Sequence, residues 1–260
     1  MLQDECEIIE HLPFTTVADT GARVGLVVLA SDYTVEDEFR RLAAPFDVSV
    51  FMARIRNSPN ITPDSLAAMG PLLTDTVDLI LPSDRLDVVA FACTSASVVL
   101  GSERVAQSIG KARPTAVAAN PMDAAFAAFR AYGAKRIAVL TPYRRDVNIA
   151  VRVRIEEAGY SVPVFGSFNE ERDPVVAAID LSSLRAGIRT LIDRHAVDAV
   201  FVSCTSIRMA DAIADLEAEF SLPVTSSNHA LAWHCIRLAG RTEAIDGQGR
   251  LFELPIVQVA

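Results

Sequence analysis

The chain has 260 residues, 51% of them hydrophobic, and a formal net charge of −9. That length holds one large domain or two of about 120 residues, and the acidic balance argues against nucleic acid or an anionic membrane as partner. No apolar run reaches the roughly 18 residues needed to cross a bilayer, and the acidic start Met1-Leu-Gln-Asp-Glu-Cys6-Glu lacks the charge and apolar stretch of a secretion signal. Four cysteines without such a signal fit reduced thiols and a cytoplasmic location.

Residues 1–20 read as an irregular lead-in, and residues 23–29 as a first strand. Val35–Ala44 has helical spacing, with Glu36 and Asp37 early and Arg40 and Arg41 late, as the helix dipole prefers. Asp47–Met52 is a second strand. A helix over 63–81 follows, with Thr62 as N-cap and Pro63 in the first turn. The pattern then predicts strand 88–92, helix 97–109, strand 115–118 and helix 122–132, closed by Gly133. The second half predicts strand 137–141, helix 146–158, strand 161–165, a loop over 166–173, a helix from Pro174 or later and helix 182–194. Strand 198–202, helix 207–219, strand 222–225 and helix 229–239 complete it. Strands alternating with helices give an α/β fold with parallel sheets, and ligands bind such sheets at the carboxyl ends of the strands.

The two halves repeat one another. Leu86-Asp-Val-Val-Ala-Phe-Ala-Cys93-Thr94-Ser95 answers Val197-Asp-Ala-Val-Phe-Val-Ser-Cys204-Thr205-Ser206, with the cysteines 111 residues apart. Arg23-Val-Gly-Leu-Val-Val-Leu pairs with Arg136-Ile-Ala-Val-Leu-Thr-Pro. Thr115-Ala-Val-Ala-Ala-Asn120 pairs with the stretch from Leu222 to Asn228. The period is far too long for a solenoid and indicates two pseudo-symmetric α/β halves with a cleft between them. The first half is assigned residues 1–125, completed by 229–260, and the second 126–228. Each cysteine falls where an apolar strand ends and a helix is expected, a position that favours a thiolate.

These residues resemble the aspartate/glutamate racemase superfamily over roughly residues 23–240. Within it, Leu140-Thr-Pro-Tyr143, Gly166-Ser-Phe-Asn169, Ser203-Cys204-Thr205-Ser206-Ile-Arg208 and Ser226-Ser-Asn228-His-Ala-Leu-Ala-Trp233 are similar to maleate cis–trans isomerases. Ala30-Ser31-Asp32 at the end of strand one looks like the ectoine-utilisation protein A branch. The resemblance implies cofactor-free isomerase or racemase chemistry on a small carboxylate, with Cys93 and Cys204 as the catalytic pair. It also implies substrate contacts from Tyr143 and Asn169. Maleate isomerases usually carry Ser-Ser-Asn where this chain has Ala30-Ser31-Asp32, and their Asn amide binds a substrate carboxylate. A carboxylate there repels another carboxylate and has no amide protons to donate. Asp32 therefore shifts the expected substrate toward an amino- or hydroxy-substituted acid.

For Cys93 and Cys204 the plainer reading is two small buried hydrophobes, but duplication and position at strand ends favour reactive thiols. Thr94, Ser95, Thr205 and Ser206 are either helix caps or hydroxyl and N–H donors to a carboxylate. Tyr143 is either surface or cleft mouth, and Asn169 either a turn former or part of a loop covering the site. Asn120 and Asn228 suit helix caps, Arg208 a surface position, and Cys235 the core; Cys6 has no informative context. His229 and His234 are five apart, a poor helical match for a metal pair, so no metal site is expected. The alternatives are an arylmalonate-type decarboxylase, whose known members keep only the second-half cysteine, or a non-catalytic binder of small carboxylates. Oligomeric state stays open, with a homodimer or tetramer possible.

Overall fold

The computed structural model describes residues 9–17, 21–58 and 60–257; Cys6 lies outside them. The first half runs β1 (Ala22–Leu29), α1 (Val35–Ala43), β2 (Val48–Ile55), α2 (Pro63–Ala67), α3 (Leu73–Asp78), β3 (Val88–Ala92), α4 (Thr94–Leu100), α5 (Ser102–Ala112), β4 (Val117–Ala119) and α6 (Pro121–Tyr132). The second runs β5 (Arg136–Thr141), α7 (Arg145–Glu157), β6 (Ser161–Ser167), α8 (Asp173–Val176), α9 (Leu181–Ile192), β7 (Ala199–Val202), α10 (Ile213–Phe220), β8 (Val224–Ser226) and α11 (Ser227–Leu238), followed by α12 (Arg250–Glu253).

The strands form two four-stranded parallel sheets of matching order, β2-β1-β3-β4 and β6-β5-β7-β8. The α/β fold with two pseudo-symmetric halves is therefore present. Strands β3 and β7 are buried along their whole length, as apolar runs covered on both faces must be. In each sheet the chain order reverses between the first and third strands. The crevice at their carboxyl ends is where an open parallel sheet binds ligands. Cys93 follows β3 there, and Cys204 lies two residues beyond β7.

The two halves exchange their closing helices. Phe126 and Phe129 of α6 pack with Tyr160 and Phe201 of the second half; the Phe129 and Phe201 rings meet edge-on at 5.6 Å. Leu231, Trp233 and Ile236 of α11 pack instead with Val24, Leu26 and Phe39 of the first. Asn120 starts α6 by accepting from Met122 N and Asp123 N, both at 3.0 Å. Ser226 starts α11 by accepting from His229 N at 3.2 Å. Trp233 Nε1 donates to Leu254 O, and Arg237 Nη2 to Phe252 O, which ties the C-terminal segment to α11.

Three helices depart from the expected pattern. The helix expected over 63–81 is broken into α2, a 3₁₀ turn over Gly70–Leu72 and α3. Pro71 has no N–H to continue the α-helical ladder. The helix expected from residue 97 begins at Thr94 and breaks at Gly101, whose φ of 83° suits glycine. The helix expected over 207–219 does not follow Cys204. A 3₁₀ turn occupies Ala210–Ala212, and α10 begins only at Ile213.

That last difference has a cause in the first half. Glu38 Oε1 accepts from Met209 N at 2.7 Å and Ala210 N at 2.8 Å. Thr34 Oγ1 donates to Ser206 O, and Asn228 Nδ2 donates to both Glu38 Oε2 and Thr205 O. Backbone groups that a helix would pair internally are thus held from outside.

Candidate active site

A cavity lies between the carboxyl ends of the two sheets. Its wall brings together Cys93, Thr94, Ser95, Tyr143, Cys204, Thr205 and Ser206, seven residues singled out from sequence. It also contains Asn57, Asn60, Ser65 and Asp173, with Leu29, Ile61, Leu66 and Met69 as its apolar part. Asn60 and Ile61 meet the second half beside the cavity. Asn60 pairs with Arg172 in an antiparallel bridge, and Ile61 N donates to Glu171 O at 3.2 Å.

The two thiols have unequal settings. Cys93 is the N-cap of α4 in extended conformation, φ −146° and ψ 111°, with its sulfur 3.8 Å from Ser95 Oγ. Cys204 sits in the loop held by Glu38. Burial pushes the Cys93 thiol up to about 12; the charges of Asp173 and Asp32 add to this, while the Ala96 N–H and the Ser95 hydroxyl oppose it. Burial likewise pushes Cys204 up to about 12, with Asp173 adding to it and the Tyr143 hydroxyl and the Ser206 N–H opposing it. The helix start acts on Cys93 in the expected direction, but desolvation is larger.

Tyr143 is 1% exposed. Its hydroxyl stands within hydrogen-bonding reach of Cys204 and Ser95, and burial pushes its ionisation well above the usual phenol range. Its carbonyl accepts from Asn148 Nδ2 and Ser167 Oγ, which fixes the turn after β5. Thr94 Oγ1 donates to Ser227 Oγ at 2.7 Å, locking the start of α4 to the start of α11.

Asp32 stands behind the cavity wall rather than on it. Its Oδ1 accepts from Thr34 N at 2.7 Å and Val35 N at 2.8 Å, capping α1. Its Oδ2 is buried without a hydrogen bond of good geometry; the nearby Thr205 hydroxyl favours the ionised form only weakly. Burial raises Asp32 from 3.8 to about 6; the two N–H groups oppose this and the charge of Asp173 reinforces it.

Asn169 is not brought to the cavity. It is exposed with φ 55°, and its N–H donates to Ser167 Oγ, the role of a turn former. Asp173, four residues further on, occupies the wall. It is buried, its Oδ2 accepts from Ser31 Oγ, and its Oδ1 accepts from Ser206 Oγ at 3.1 Å. Burial holds Asp173 above the ordinary carboxylate range, against the pull of the two serines. Asp173 and Asn57 were not singled out from sequence. The Asp-Pro pair that opens α8 was visible as a helix start, but nothing in its pattern marks a residue facing the opposite half.

The remaining expectations divide. Asn120 caps a helix, whereas Asn228 braces Glu38 and Thr205 and leaves its own Oδ1 buried without a partner. Arg208 is exposed and donates to Tyr33 O. His229 is buried between Thr225 Oγ1 at 3.0 Å and Gln248 O at 2.7 Å, a structural bracket. Cys235 is fully buried.

Residues 75–252 match the arylmalonate decarboxylase family. The chain belongs to that family. Among the family's characterised relatives, the maleate isomerase of Nocardia farcinica is 28% identical over 240 residues, covering 88% of this chain and 94% of that protein. The arylmalonate decarboxylase of Bordetella bronchiseptica is 29% identical over 198 residues, covering 75% and 82%. A solved structure of the Nocardia farcinica maleate cis–trans isomerase, a cysteine-to-serine variant with a covalently bound succinylcysteine intermediate, superposes with a TM-score of 0.83 at 27% identity. It covers 89% of this chain and 98% of that one. These likenesses put the chain in the maleate isomerase branch of the family, an enzyme of the cofactor-independent isomerase type.

Proposed function

We propose that this enzyme isomerises a small substituted carboxylic acid through its two cavity thiols, Cys93 and Cys204. The observation that carries the reading is their convergence, from opposite halves, on one cavity with the Tyr143 hydroxyl. In a racemisation, one cysteine as thiolate takes the proton α to the carboxylate. The electron pair moves into the carboxylate as an enediolate, and the other thiol returns a proton to the opposite face. The N–H groups of the first turn of α4, which have no partner within the helix, would supply donors to such an oxyanion. In a cis–trans isomerisation, a thiolate adds to one alkene carbon, forming a C–S bond, and the other thiol protonates the neighbouring carbon. Rotation about the new single bond follows. Removal of that proton and cleavage of the C–S bond restore the alkene and both cysteines.

The covalent succinylcysteine of the Nocardia farcinica enzyme supports the second route for that relative. For this chain, Cys93 at the start of α4 suits the nucleophile, and Cys204 beside Tyr143 suits the proton donor. Decarboxylation needs only one proton-delivering thiol, so retention of Cys93 favours isomerisation. A place in ectoine breakdown is proposed only on the Ala30-Ser31-Asp32 stretch.

The deciding experiment is NMR in D₂O with a panel of C4 acids, amino acids and hydroxy acids. Deuterium at the α carbon marks racemisation, a new alkene geometry marks isomerisation, and loss of CO₂ marks decarboxylation. No turnover of any panel member, together with unchanged behaviour of Cys93→Ser, would remove the two-thiol reading.

A further inference from the structure

The charge on the cavity wall is negative. Asp173 is 1% exposed, and its carboxylate bridges the halves through Ser31 and Ser206. Asn57 Nδ2 donates in turn to Ser31 Oγ at 2.7 Å. Asp32, 3% exposed, puts a second carboxylate behind the wall, with its Oδ2 buried and unpartnered. Among the described residues, no lysine, arginine or histidine lines the cavity. The adjacent Arg172 is turned away and held by Glu170, Nε to Oε1 at 2.9 Å and Nη2 to Oε2 at 2.8 Å. A buried carboxylate is costly to keep ionised without a counter-charge, and two near one another are costlier. The protein gives Asp173 hydroxyl donors but no cation.

We infer that Asp173 determines substrate choice by receiving an ammonium group, so that the substrate is an amino-substituted carboxylic acid rather than an unsubstituted dicarboxylate. The inference rests on reading the cavity as the two-thiol active site. An unsubstituted diacid brings two negative charges toward Asp173. An amino acid brings one positive charge to it and leaves its carboxylate for the N–H groups at the start of α4. The same ammonium serves the chemistry. Asp173 is among the groups that disfavour a thiolate on both Cys93 and Cys204. Pairing it with a cation on binding relieves that repulsion at the moment a thiolate is required. The rival role is a protonated Asp173 donating to a substrate carboxylate; a neutral amide would reproduce that role.

The test is calorimetric titration of the full-length protein at pH 8 with C4 to C6 acids in matched amino, hydroxy and unsubstituted forms, aspartate and maleate among them. We expect at least one amino acid to bind about 10-fold or more tightly than its unsubstituted partner. Asp173→Asn should abolish that preference, and Ser206→Ala, which keeps the carboxylate, should retain it. Should Asp173→Asn fail to fold, the wild-type ranking and Ser206→Ala still decide. Equal or tighter binding of the unsubstituted acids, or no binding of any amino acid, overturns the inference, as does a preference that survives in Asp173→Asn. Maleate turnover that is lost in Cys93→Ser would sustain the two-thiol reading while sinking this one. Tight, Asp173-dependent binding of an amino acid with no turnover would do the reverse.

Discussion

Replacing Asp32 by asparagine should stabilise the protein, and by an amount that depends on pH. The wild-type carboxyl is raised from 3.8 to about 6, chiefly by burial. The folded state therefore binds the proton more tightly than the unfolded chain does. Its contribution is fully present below about pH 3.8 and is lost as pH rises through about 6. Above that, the ionised carboxylate costs the fold about 3 kcal/mol relative to its protonated form. Asparagine is neutral throughout. Its Oδ1 can keep the bonds from Thr34 N and Val35 N that start α1, and its amide can donate to the Thr205 hydroxyl where Oδ2 now has no partner. The variant should thus gain on the wild type as pH rises. About 2 of the 3 kcal/mol develops between pH 4.5 and 7.5. Urea denaturation of both proteins at those two pH values reads the difference directly. A gain that does not change with pH, or a variant less stable than wild type at pH 7.5, would refute the argument that Asp32 is a strained buried acid.

Cys93→Ser and Cys204→Ser should each lower turnover by at least about 10²-fold with an unchanged circular dichroism spectrum, because a serine hydroxyl is far less acidic than a thiol; either variant keeping wild-type rates contradicts a role for both. Without substrate, the iodoacetamide reaction of both cysteines should climb steadily from pH 7 to 10 with no plateau, since both thiols lie near 12. Peptide mapping of the alkylated sites checks this, and a plateau near pH 7 at either site counters it. Dialysis against a chelator should leave the rate unchanged; activity that returns only with added metal would contradict this.

Much of this architecture is readable from residues alone because the strand signal is a simple one. Runs such as Val88–Ala92 and Ala199–Val202 are apolar on both faces only if buried in a parallel sheet. The repeat then assigns both cysteines to strand ends. What sequence does not carry is contact across the halves. Asp32 sits at the end of β1 as anticipated, yet it caps α1 with one oxygen, a bond that any Asp before a helix can make. Asn169 and Asp173 share one polar loop, and only the approach of Ser31 and Ser206 decides which of them meets the cavity. The helix expected after Cys204 has the right periodicity but is displaced because Glu38 claims the amides of Met209 and Ala210, 171 and 172 residues further along the chain.

The contrast between a thiol capping a helix and a thiol on a braced loop reaches into kinetics. Two identical halves would give each enantiomer of a racemised substrate the same turnover number and the same Michaelis constant. In the racemisation proposed above, the proton acceptor for one enantiomer would be Cys93 and for the other Cys204, and these two thiols sit in settings that differ in backbone, in neighbours and in the hydroxyl each meets. The equilibrium constant between enantiomers is one, so the Haldane relation fixes kcat/KM to be equal in the two directions. It leaves kcat and KM free to differ separately. A duplicated fold with unlike thiols would therefore saturate with one mirror image at lower concentration than with the other, and turn that one over more slowly by the same factor.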